Sequence, residues 1–152
     1  MFASKSFFTA EQIKQIEASI KSAEENTSGE IRVYVDGHCK EDDVVKCAQQ
    51  VFHKTGMDKT ALANGVLFYF AAKDRQFAVI GDKAIHQNVT PAFWTLLRDI
   101  MQKQFMQGKF TEGLCEAIEK AGIELKKYFP LSSSDKNELP NEIIFGNKLK
   151  KK

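Results

Sequence analysis

The residues of this chain best suited to chemistry are oxygen donors: Glu30, Asp58, Asn64 and Asp82. Carboxylates, a carboxamide and main-chain carbonyls freed near glycines make a hard donor set without thiolate or imidazole. Such a set suits Ca²⁺ or Mg²⁺. Glycines stand beside three of the four, in Gly29-Glu30, Asn64-Gly65 and Gly81-Asp82. Each residue also has a plainer use: Asp58 as a solvated loop carboxylate, Asn64 and Gly65 as turn formers, Glu30 as the partner of Arg32 or a lysine. A second acidic group, Asp36, Asp42, Asp43 and Asp74, competes for the same role, because parallel sheets often place ligands at the carboxyl ends of their strands. Asp42 and Asp43 already serve to start a helix and Asp74 to make a turn, so this group ranks second.

Familiar nucleophilic motifs are missing. Gly56 to Thr60 ends in Lys59-Thr60 but lacks the first glycine and the preceding strand of a phosphate-binding loop. Six positions after Cys39, Cys47 and Cys115, where a thiol phosphatase needs arginine, stand Val45, His53 and Ala121. Asp36-Gly37-His38 lacks the second aspartate of a phosphoaspartate motif, and His38, His53 and His86 are too scattered for a sequence-local metal pair.

The elements that must position the oxygen donors follow from periodicity. Thr9 to Gln12 is a capping box with Phe8 and Ile13 as a hydrophobic staple, and Ile13, Ile16, Ile20 and Ala23 stripe the helix behind it. Glu30 to Asp36 alternates, which predicts a strand covered on one face only. Asp42 or Asp43 starts a second helix, with Val44, Val45, Ala48, Val51 and Phe52 as its apolar stripe and Gly56 at its end. Val66 to Ala72 is apolar without a break, so this strand needs cover on both faces. The turn Lys73-Asp74-Arg75 is too short for anything but an antiparallel hairpin into a strand from Phe77 to Ile80. Thr90-Pro91 starts a helix carrying Phe93, Leu97, Ile100, Met101 and Phe105; Trp94 among them reads as core more readily than as an aromatic pocket. Thr111 can cap a last helix whose Leu114, Ile118, Ala121, Leu125 and Tyr128 repeat at helical spacing, and Pro130 stops it.

The sum is an α/β fold: a Rossmann-like three-layer α/β/α sandwich, its small mixed sheet built from a βαβ unit plus an antiparallel hairpin strand. The domain spans 1–130, and 131–152 forms a polar linker and a basic tail in which Glu142 to Phe145 could add a fourth strand. Chain direction then brings Glu30, Asn64 and Asp82 to one sheet edge, with the loop around Asp58 entering beside them.

A chain of 152 residues with 43% hydrophobic and 28% charged residues fits one globular domain. A net charge of +2 gives no reason to expect nucleic acid, and no stretch is apolar enough for a membrane span. Three cysteines without a CxxC pair suit free thiols in a reducing compartment, and the amino terminus lacks the apolar region of a signal peptide. These features predict a cytoplasmic protein.

Thr27-Ser28-Gly29-Glu30, Asn64-Gly65-Val66-Leu67, Lys73-Asp74-Arg75, Ile80-Gly81-Asp82 and the tract from Phe105 to Leu114 together resemble the TPM domain family. The resemblance runs from about residue 9 to 130. It implies an α/β/α sandwich and, for some members, divalent-cation binding at acidic loop residues; a plant thylakoid relative is described as an acid phosphatase. Many bacterial members add a signal peptide and a membrane span, so this chain resembles a stand-alone, cytoplasmic bacterial form. It departs from the family at Ser4-Lys5-Ser6, where many members carry an aspartate, and at Gly81 to Ile85, where the family has Gly-Tyr-Gly-Leu-Glu. The expected function is divalent-cation binding by a non-enzymatic domain or an interaction module with a protein partner. The alternative is a metal-dependent acid phosphatase acting on phosphomonoesters, the cation activating water and holding phosphate oxygens.

Overall fold

A computed structural model of the chain describes residues 8–131 and 141–146. Helix α1 (Ala10–Glu24) opens on the expected capping box, with the Thr9 side chain accepting from the Gln12 backbone and the Gln12 side chain from that of Thr9. Strand β1 (Glu30–Asp36) leads through α2 (Val44–Lys54) and a short 3₁₀ turn (Met57–Lys59) to β2 (Gly65–Ala71), and the hairpin returns as β3 (Gln76–Gly81). Three helices follow, α3 (Lys83–Asn88), α4 (Pro91–Met106) and α5 (Phe110–Tyr128), before the short β4 (Ile144–Phe145).

The sheet has four strands in the order β3-β2-β1-β4. β1 runs parallel to β2, with Glu30 opposite Gly65 and Asp36 opposite Ala71. β3 runs antiparallel to β2, with Val66 opposite Gly81. β4 pairs parallel to the other side of β1, so the fourth strand does come from the carboxyl-terminal segment. Its neighbour Ile143 is buried and donates its backbone N–H to Glu17 on α1 at 3.1 Å.

One face of the sheet carries Ile31, Val33, Val35, Val66, Phe68 and Phe70 under α1, α4 and α5. The other carries Tyr34, Leu67, Tyr69 and Ala71 under Ala48, Val51 and Phe52 of α2. This is the α/β/α sandwich that the alternating and unbroken apolar runs predict.

Three local expectations are corrected, and one helix was not foreseen. β1 is covered on both faces, not one: Arg32 is 5% and Tyr34 2% exposed. Their stems and ring lie under α2 while their tips reach its carboxyl end, where the Arg32 guanidinium donates to the Thr55 carbonyl at 3.3 Å and the Tyr34 hydroxyl accepts from Lys54 at 3.3 Å. A polar residue in a strand need not face water when its tip finds a partner at the rim. α2 buries Cys47 rather than Val45, which stays exposed. The last helix starts at Phe110 after Lys109, so Thr111 is buried within its first turn and makes no side-chain cap. Helix α3 is unannounced by any apolar stripe; only Ile85 of its six residues is buried. Trp94 belongs to the core, packed edge-on against Phe93 at 5.7 Å between centroids.

The free-thiol expectation fails for two of the three cysteines. Cys39 and Cys47 form a disulfide, and Cys115 alone is free. The loop after β1 turns back over the first turn of α2 and brings the pair together, a closure that spacing alone does not reveal. With it goes the main argument for a reducing compartment.

Candidate functional site

Chain direction does what the topology requires of it. The Glu30 N–H donates to the Asn64 carbonyl at 3.3 Å, and the Asp82 N–H to the Gly65 carbonyl at 2.9 Å. The start of β1, the start of β2 and the end of β3 therefore meet at one edge. All three polar side chains there are buried: Glu30 is 3% exposed, Asn64 1% and Asp82 8%. Gly81 is needed for the approach, because a Cβ at that position would stand 2.7 Å from the Trp94 ring.

Asp82 is the N-cap of α3. One carboxylate oxygen, Oδ1, accepts from the Lys83 N–H at 2.7 Å. The other, Oδ2, is buried with no hydrogen-bond partner among the described residues. A carboxylate oxygen removed from water without a donor costs free energy, so this atom marks the edge as a place where a cation would be stabilised. The Asn64 amide donates to the Ser28 hydroxyl at 3.4 Å, which leaves its carbonyl oxygen as the acceptor end.

Glu24, at the end of α1, joins this neighbourhood and was missed by motif reading. Its Oε2 accepts from the Ile31 N–H at 2.6 Å. Burial above all, and the adjacent Glu30 charge, push its pKa up to about 8, against the Ile31 hydrogen bond. Arg32 supplies the opposing charge: burial lowers its pKa, and Glu30 works against that loss.

Asp58 does not join the buried trio. Its carboxylate pairs with His53 Nδ1 at 2.7 Å in an exposed contact, and that hydrogen bond holds its pKa below the usual carboxylate range. Among the described residues, no three of His, Cys, Asp and Glu are arranged to hold a metal ion. A cation at this edge would rest on Asp82, Glu30 and the Asn64 carbonyl, completed by main-chain carbonyls and water. That donor chemistry fits a hard cation with an incomplete protein shell.

The rival acidic group at the opposite edge is dispersed among internal partners. Asp36 accepts from the Tyr69 hydroxyl at 2.8 Å, and Asp74 pairs with His38 and accepts from the Cys39 N–H, both at 2.7 Å. Asp43 caps α2 through the Val45 N–H, and Asp42 pairs with Lys46 at 3.0 Å.

The fold belongs to a known class. The family model described as TPM domain matches residues 2–123, and the chain belongs to that family. It is similar to the NMR structure of the BA42 protein from the psychrophilic bacterium Bizionia argentinensis, with 49% identity over 92% of this chain and 96% of that one and a TM-score of 0.85. Two more distant NMR structures share the fold. The N-terminal domain of the cg2496 protein from Corynebacterium glutamicum is 17% identical over 86% of this chain and 81% of that one, with a TM-score of 0.64. The N-terminal domain of a P. gingivalis protein is 19% identical over 81% of this chain and 79% of that one, with a TM-score of 0.55. No curated protein matches the chain. Among the described residues, no helix is long and apolar enough to cross a membrane.

Proposed function

We propose that this chain is a divalent-cation-binding TPM domain, with Ca²⁺ or Mg²⁺ held at the edge formed by Glu30, Asn64 and Asp82. The supporting observation is the buried, unpartnered Oδ2 of Asp82 at a sheet edge where Glu30 and Asn64 are also buried. Asp58 drops out of the ligand set, because its carboxylate is committed to His53. Few protein ligands and much water imply weak binding, in the range of extracellular-type calcium sites at about 10⁻⁴–10⁻³ M.

Titration of the ¹⁵N-labelled chain with CaCl₂ and MgCl₂ tests this reading. Amides of Gly81, Asp82, Asn64 and Glu30 shift saturably at millimolar metal, and Asp82→Asn removes the response. Shifts confined to other residues, or none, would reject the site. Hydrolysis of a generic phosphomonoester that depends on the metal and is lost in Asp82→Asn would extend the reading to metal-assisted catalysis.

A further inference from the structure

A cleft lies at the other end of β1, away from the proposed cation edge. It has a volume of about 270 Å³ between the carboxyl end of β1, the loop that follows and the flank of α2 formed by Cys47, Gln50, Val51 and Lys54. At about 3.3 Å per residue, the six steps from Glu30 to Asp36 put roughly 20 Å between the two places.

Topology favours ligand binding here. β1 leaves through α2 on one face of the sheet, whereas β4 is entered after α5, which covers the opposite face. The carboxyl end between β1 and β4 is thus a switch point, where open α/β sheets leave a crevice.

The lining is chemically specific. Lys40 and Lys54 bring two ammonium groups, and Asp36 brings a carboxylate from the strand end. Lys54 is held in place: its Nζ donates to the Tyr34 hydroxyl at 3.3 Å and stands 5.5 Å from the centre of that ring. The loop carrying His38 and Lys40 is tied down twice. Asp74 takes His38 Nδ1 and the Cys39 N–H, and the Cys39–Cys47 disulfide fastens the same loop to α2, with Cys47 itself in the cleft wall.

We propose that this cleft is a second ligand site, for a small hydroxy- or amino-carboxylate, and that the disulfide holds the loop carrying Lys40 in the binding position. Two ammonium groups receive one carboxylate, and Asp36, whose Oδ2 already accepts from the Tyr69 hydroxyl, receives the hydroxyl or ammonium donor at the other end of the same molecule through its remaining acceptor capacity. The volume lies just below the usual range of about 300–1,000 Å³ for ligand pockets, which suits a metabolite of few heavy atoms. The site is independent of the cation edge, so failure of either leaves the other standing.

The experiment titrates the ¹⁵N-labelled, oxidised chain with L-lactate, L-serine and inorganic phosphate, each to millimolar concentration. The expected result is saturable shifts of Tyr34, His38, Lys40 and Lys54 amides with lactate or serine. Lys40→Met and Lys54→Met, both at exposed positions, weaken the response about tenfold or more each, and Cys39→Ser with Cys47→Ser weakens it while the amides of β2 and α5 keep their positions. Equal response in the lysine variants, response to phosphate alone, or no shift at this edge would each overturn the proposal. A disulfide-free variant that binds as well as the parent would overturn the role given to the bond.

Discussion

Glu24 shows what burial does to one carboxyl. Its pKa of about 8 in the folded chain stands above the ordinary 4.5, so the folded state holds the proton more tightly than the unfolded one. The stability this proton brings is complete below 4.5 and is lost as pH rises through about 8. Glu24→Gln should keep the amide-to-carbonyl contact with Ile31 and flatten that dependence. Thermal melts from about pH 5 to about pH 9 check it, with the parent losing on the order of a few kcal/mol across the range and the variant holding nearly level. Equal slopes would show that Glu24 is not the titrating group. Motif reading passed over Glu24 because Glu24-Glu25 looks like a solvated helix end. Only the approach of α1 to the start of β1 buries it. Glu30, Asn64 and Asp82 were readable as neighbours because strand direction alone brings them together, whereas Asp58 needed the position of His53, which sequence spacing does not supply.

Element-scale packing is set where helices touch closely. At Gly122 on α5, an added Cβ would stand 2.7 Å from the Ala23 Cβ and 3.0 Å from its backbone on α1. Backbone cannot move aside as a flexible side chain can. Gly122→Ala should therefore cost about 1–3 kcal/mol, set against the small gain in helix propensity, and lower Tm by several degrees. A Tm equal to or above the parent's would show that the α1–α5 seam yields. Most elements could be read from period and caps: the box at Thr9, the start of α2 at Asp43, Pro91 at the head of α4. What escaped was what tertiary contact decides. Helix α3 is too short to show a period and is held by the Asp82 cap. Thr111 has the residue type of a cap but lies buried inside the first turn of α5. The disulfide depends on the path of a loop.

The molecule as a whole is a sheet clamped between unequal layers, with its two chemically distinct edges at opposite ends of β1. β4 covers the outer side of β1 and anchors Ile143 against α1. Ending the chain after residue 130 should remove that cover and, by the loss of one buried isoleucine, about 2 kcal/mol or more of stability, read from urea unfolding. An unchanged midpoint would mean that the strand adds nothing to the domain. The most direct test of the proposed function is a crystal soaked in CaCl₂ or MnCl₂ and examined by anomalous scattering. The account predicts a peak within coordination distance of Asp82 Oδ2, with Glu30 or the Asn64 carbonyl as a second ligand. A peak only at the Asp36 and Asp74 edge, or none at saturating metal, would contradict it.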